Sequence, residues 1–121
     1  MLRFSMCAAA LALAAAPAAA HHTFVTKYNS AKTIEVSGTV TSVSFTNPHM
    51  YFSITTGSTT WTVETESISV ASAKGLKPTL LKAGAKVRVR GWPARDGSAA
   101  MGLNIITFQG GPSITTRGSA R

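Results

Sequence analysis

The sequence predicts an all-β domain with a small helical insert, namely a five-stranded OB-like Greek-key barrel. Three observations support this class. Apolar and polar residues alternate along most of the chain after Thr33, as they do in half-buried strands. Turn residues divide this pattern into five strands. The alternation stops between the third and fourth strands, where an OB barrel carries its helix. An immunoglobulin-like sandwich would need about seven strands.

The first strand is predicted to be long and bulged. Its apolar residues occupy even positions up to Val40 and odd positions from Val43 onward. One extra residue near Thr41 and Ser42 explains this phase slip, because a bulge moves the following side chains to the other face. A long bulged first strand is typical of the OB barrel, in which it takes part in both halves of the closure.

The second and third strands are predicted to form a hairpin. Asn47-Pro48 ends the first run, and apolar residues then alternate from Met50 to Ile54. Gly57-Ser58 provides a tight turn, and a third strand follows over residues 60–65. Phe52 and Trp61 share the inward parity of their strands, so both are expected in the core.

A short helix and the last two strands complete the domain. Ser67 can cap a helix that Gly75 ends, and Leu76, Leu80 and Leu81 are expected to close the core from a turn. Strand four covers residues 85–92, and Asp96-Gly97 is the turn before strand five at residues 100–108. A change of parity within strand five predicts a second bulge or burial on both faces. After Gln109 we expect a frayed tail.

The first 20 residues are predicted to be a secretory signal peptide. They carry one charge, Arg3, followed by a run of Ala and Leu that is too short to span a bilayer. Ala18 and Ala20 satisfy the small-residue rule for cleavage before His21, although a cut after Ala18 also fits. The predicted organisation is a signal peptide (1–20), an N-terminal arm (21–32), a barrel (33–108) and a flexible tail (109–121). We therefore expect a periplasmic or secreted protein without a transmembrane span.

Composition narrows the function classes. The only cysteine is Cys7, within the predicted signal peptide, so the mature chain would have no disulfide, thiol nucleophile or Cys-based metal site. The net charge of +8 would ordinarily suggest nucleic acid as a partner. Because an exported protein meets little nucleic acid, an envelope ligand or a metal ion is the expected partner.

Several motifs together resemble a known family. They are His21-His22-Thr23-Phe24, Val36-Ser37-Gly38-Thr39-Val40, Thr46-Asn47-Pro48-His49 and Val89-Arg90-Gly91-Trp92-Pro93-Ala94 with Asp96-Gly97-Ser98. The chain resembles small secreted bacterial proteins grouped as a domain family of unknown function, which carry a His-His-Ser-Phe-like start and a Thr-Asn-Pro-His turn. It differs in having Thr23 for the commoner Ser, and a Gly-rich tail in place of Pro-Asp-Gly. The resemblance implies an exported OB-like domain and no particular activity.

Histidine placement points to copper. Cleavage before His21 would let the terminal amine and the His21 ring chelate one ion, with His49 as the best third nitrogen. Cleavage one or two residues earlier would make His22 or His21 the third residue of a square-planar site, which favours Cu(II) or Ni(II). The alternative interpretation is a solvated start and a His49 that only shapes its turn. Met50 and Met101 are softer candidate ligands but fit the core pattern.

A metal-free adaptor is the other hypothesis for function. Lys86, Arg88 and Arg90 form an outward basic stripe that can follow a polyanionic or glycan ligand, with Tyr51 and Trp92 as exposed aromatic contacts. A merely solvated strand face is the alternative. No nucleophile elbow, phosphate loop or zinc-protease motif is present, and Glu64 and Glu66 are expected on an exposed face. The protein is therefore expected not to be an enzyme.

Overall fold

The computed structural model describes residues 24–117. The predicted signal peptide, its cleavage site, His21 and His22 lie outside these residues, as do residues 118–121 at the other end. The described chain forms six strands, one short helix and a single helical turn at residues 24–27. The strands and the short helix are β1 (Ile34–Ser44), β2 (Tyr51–Thr56), β3 (Thr59–Glu64), α1 (Ile68–Ala73), β4 (Lys86–Pro93), β5 (Ala100–Phe108) and β6 (Ser113–Thr115).

The first five strands close into a barrel. The strand order is β3-β2-β1-β4-β5-β6, and β3 also pairs with β5 in parallel. This parallel contact joins Thr62–Glu64 to Ala100–Gly102 and closes the sheet. The prediction of an all-β, OB-like barrel is confirmed.

The predicted phase slips correspond to bulges. The β1–β2 register passes from Val40 to Ser42 and leaves Thr41 as the extra residue. On β5 the extra residue is Asn104, since Arg90 pairs with Ile105 and Gly91 pairs with Leu103. Each bulge changes which face the following side chains occupy, as the sequence parity indicates.

The insert between β3 and β4 also follows the sequence prediction. The Ser67 hydroxyl accepts a hydrogen bond from the Val70 backbone N–H at the start of α1. Gly75 follows the helix with a φ of +103°, a conformation that glycine adopts without strain. Leu76 and Leu81 are then fully buried.

Apolar side chains from every strand fill the barrel. The fully buried ones include Val40, Met50, Phe52, Ile54, Val63, Val89, Met101, Leu103 and Ile106. Phe52 is in the core as predicted. Trp61 is partly buried and packs against the core. Among residues 24–117, no helix has both the length and the apolar character needed to cross a membrane.

The prediction of a frayed tail after Gln109 is wrong for the segment up to Arg117. Ser113–Thr115 form β6, which pairs with Ile105–Thr107 of β5. Ile114 is 7% exposed, and the buried Thr116 hydroxyl donates to the Leu103 carbonyl at 3.1 Å. One buried isoleucine among Gly, Ser and Thr is enough to hold this short strand, because the backbone of β5 offers it hydrogen bonds.

Candidate functional site

The described part of the N-terminal arm docks on the end of β4. Residues 24–27 form one helical turn, after which Tyr28 makes a bridge to Ala94. The Asn29 N–H donates to the Pro93 carbonyl at 2.9 Å, and the Arg95 N–H donates to the Lys27 carbonyl at 2.9 Å. The arm is therefore attached to the barrel through backbone hydrogen bonds.

Aromatic packing fixes the same segment. Phe24 lies 4.7 Å from the Tyr28 ring and 5.9 Å from the Trp92 ring between centroids, the second contact being edge-to-face. Gly102 lies beneath it, where an added Cβ would be 2.3 Å from the Phe24 ring. The Arg117 guanidinium covers the Phe24 ring at 3.8 Å. Phe24 and Tyr28 are both 2% exposed, and they anchor the arm on the barrel.

A buried carboxylate lies where the arm meets β3. Glu64, the last residue of β3, is 3% exposed. Its Oε1 accepts hydrogen bonds from Lys27 Nζ at 3.0 Å and from the Tyr28 hydroxyl at 2.8 Å. Its Oε2 is 3.0 Å from His49 Nδ1. The Tyr51 side chain is a further neighbour of this carboxylate. We call Lys27, Tyr28, His49, Tyr51 and Glu64 the Glu64 cluster.

The electrostatics of the cluster favour an ionised glutamate. Burial by itself would raise the pKa of Glu64, but the hydrogen bonds from Lys27 and Tyr28 and the charge of Lys27 outweigh burial and lower it. Burial and the adjacent carboxylate raise the pKa of Tyr28 and of Tyr51. Both phenols therefore stay protonated around a negative charge.

The turn between β1 and β2 presents His49 to this carboxylate. Its Asn47–Pro48 peptide bond is cis. The Thr46 hydroxyl donates to the His49 carbonyl at 2.9 Å, and Asn47 Oδ1 accepts from the Ile68 N–H at 3.3 Å, which ties the turn to α1. The position of His49 is thus held from both sides of the turn.

The Glu64 contact determines which nitrogen of His49 can bind a ligand. An ionised carboxylate only accepts hydrogen bonds, so His49 Nδ1 must carry the hydrogen. In the neutral ring, Nε2 then has an available lone pair, as in carboxylate–histidine–metal arrangements. The His49 side chain is 17% exposed. No group of three His, Cys, Asp or Glu side chains suited to a metal occurs among residues 24–117.

The prediction of Trp92 as an exposed contact is wrong. Trp92 is 6% exposed because Phe24 and the docked arm cover the outer face of β4 at its end. Tyr51, the other proposed aromatic contact, is half-buried beside Lys27, whose Nζ lies 5.4 Å from the ring centroid. The two aromatics and the basic stripe therefore do not make up one binding surface.

The basic stripe itself is on the outside of β4. Val87 and Val89 are buried, and Lys86, Arg88 and Arg90 are exposed, as the alternation predicts. Arg88 Nε lies 3.6 Å from Glu35 Oε1, with both side chains more than half exposed. A groove of about 750 Å³ beside Lys86 and Arg88 continues onto β1 and the turn after β5.

The family of the chain follows from a match that covers most of its length. A model described as "Family of unknown function (DUF6152)" matches residues 9–104. The chain belongs to this family. A comparison with curated proteins finds no match.

All five members of the Glu64 cluster lie within the range that the DUF6152 model matches. Of these, the sequence predicts His49 and Tyr51 as ligand contacts and Glu64 on an exposed face. The alternation in β3 places Trp61 and Val63 on one face and Glu64 on the other. That outer face is covered here by the arm, which comes from 36 residues earlier in the chain. A local pattern contains no signal for such a long-range contact.

Proposed function

We propose that this protein is an exported binding module, without enzymatic activity, that takes up Cu(II) through His49 and the mature N-terminus. The three nitrogens are the terminal amine and ring of His21, after cleavage before that residue, and Nε2 of His49. The observation that carries the proposal is the Glu64 cluster: one carboxylate holds the His49 ring and, through Lys27 and Tyr28, the arm on which the other histidines lie.

The reach of the arm supports this ligand set. His21 is three residues before Phe24, so the two Cα atoms are at most about 11 Å apart. Phe24 is anchored against Tyr28, which bonds the same glutamate as His49. Binding would therefore cost little chain ordering, because the docked segment has already brought the arm beside the turn.

Burial of the carboxylate favours binding over catalysis. A general base must reach a substrate proton, whereas Glu64 is 3% exposed, accepts hydrogen bonds from Lys27 and Tyr28, and lies 3.0 Å from His49 Nδ1. Its role in the proposal is to orient His49, which is what outer carboxylates do for histidine ligands.

Cleavage one or two residues earlier would give a different copper site. His22 or His21 would then bind as the third residue, together with backbone amide nitrogens, and His49 would not be required. The exact mass of the processed protein distinguishes these cases before any metal is added.

Native mass spectrometry of the processed protein during a Cu(II) titration tests the proposal. We expect one Cu(II) per chain below micromolar free copper, and an affinity loss of more than about tenfold in His21→Ala. His21 lies beside the cleavage site, so the variant's mass must show the same first position. Absence of bound copper below micromolar free copper, or unchanged affinity in His21→Ala, would refute the proposal.

A further inference from the structure

A polar groove lies apart from the Glu64 cluster, at the other end of the strands. Its walls are Ser37–Thr39 of β1, Lys86–Arg88 of β4 and the turn at residues 109–111. The cluster contacts the other ends of β4 and β5, near Pro93 and Gly102. The groove is therefore a separate surface of the molecule.

Strand register brings the polar side chains of the groove together. Arg88 pairs with Ser37 on one side and with Thr107 on the other, and Lys86 pairs with Thr39. Directly paired residues in antiparallel strands point to the same face. Arg88 is thus flanked by hydroxyl groups on both sides, and Lys86 is flanked by one on the β1 side.

The charge of the groove is unbalanced. None of its lining residues is acidic. The nearest ion-pair partner is Glu35, which meets Arg88 in an exposed contact of a kind that contributes little to stability and can exchange with a ligand. Arg90 continues the row on the same face of β4, with about 6.7 Å along the strand between the Cα atoms of successive basic residues.

The lining favours a sugar polymer over a nucleic acid. Sequence-tolerant binding of single strands relies on aromatic side chains on which bases stack. The one aromatic residue of this groove, Phe108, is 5% exposed and packs inward. Ser37, Thr39, Thr107 and Gln109 instead offer donors and acceptors suited to a polyol.

We propose that the groove between β1, β4 and the residue 109–111 turn binds a linear acidic polysaccharide. Lys86 and Arg88 pair with its carboxylates, and the flanking hydroxyl groups bind its sugar hydroxyls. The charge of the chain favours this ligand, since 12 Lys and Arg face only 4 Asp and Glu.

Calorimetric titration with a polygalacturonate oligomer tests the proposal. We expect binding that weakens with salt and is lost when the oligomer is methyl-esterified, because esterification removes its charge. Lys86→Glu/Arg88→Glu should lose at least about tenfold in affinity, since both changes place repulsive charges in the groove. The matched control, Lys77→Glu/Lys82→Glu, makes the same net charge change on exposed residues outside the groove and should lose less than about threefold.

A second variant keeps the charge and tests the hydroxyl contacts. Ser37→Ala/Thr39→Val should weaken oligomer binding about threefold or more while leaving its salt dependence unchanged. Equal losses in the two charge-reversal variants, no effect of the hydroxyl variant, or equally tight binding of a thymidine oligonucleotide would each overturn the proposal. Copper uptake should be unaffected in all of these variants, because the histidines remain in place.

Discussion

Glu64 is the residue on which two separate parts of the chain depend. Its two oxygens bind the arm on one side and the turn that carries His49 on the other. A buried carboxylate is stable only with such partners, because desolvation of an isolated charge costs several kcal/mol. The sequence predicts His49 as a ligand because it is one of three histidines and lies in the turn after Asn47-Pro48. The contact with Glu64 that orients His49 is seen only in the folded structure.

Replacing Glu64 with glutamine should lower the free energy of unfolding by about 1–3 kcal/mol. Glutamine keeps the shape but loses the charge, and its amide group cannot accept from all the donors that face it. Glu66→Gln is the matched control, since Glu66 pairs with the partly exposed Lys74 and should cost about 1 kcal/mol or less. Urea denaturation measures both variants, and equal losses would contradict the importance assigned to the Glu64 cluster.

At the scale of elements, the parity of apolar residues was the strongest guide. It predicts a bulge near Thr41 and Ser42, which lies at Thr41, and a second bulge or burial on both faces in β5, where a bulge lies at Asn104. The same parity misplaced Trp92, because the arm covers the outer face of β4 there. β6 was missed because a three-residue strand has too few side chains for a periodic signal.

Docking of β6 can be tested through its single buried side chain. Ile114→Ala should lower the free energy of unfolding by about 2 kcal/mol, since it leaves a cavity against β5 and the α1 end near Gly75. Val70→Ala removes an aliphatic side chain that is 43% exposed and should change stability by less than about 0.5 kcal/mol. If Ile114→Ala were as mild as Val70→Ala, β6 would not be docked in solution.

At the scale of the whole molecule, the Glu64 cluster and the basic groove lie at opposite ends of β4 and β5. The Glu64 cluster lies where β3 and β5 close the barrel, and the basic groove lies toward the start of β4 and the end of β5. The fold class was predictable because OB topology follows from the strand order and the position of the insert. The positions of the two surfaces could not be predicted in the same way, because they depend on how β3 and β5 close the barrel and on the path of the arm.

The central claim is that His49 completes a copper site with the mature N-terminus. Pulsed electron paramagnetic resonance of the processed protein with one equivalent of Cu(II) tests it directly by counting coordinated imidazoles. We predict two imidazoles in the wild type, from His21 and His49, and one in His49→Ala, with weaker binding in the variant. A His49→Ala spectrum and affinity identical to those of the wild type would contradict the claim.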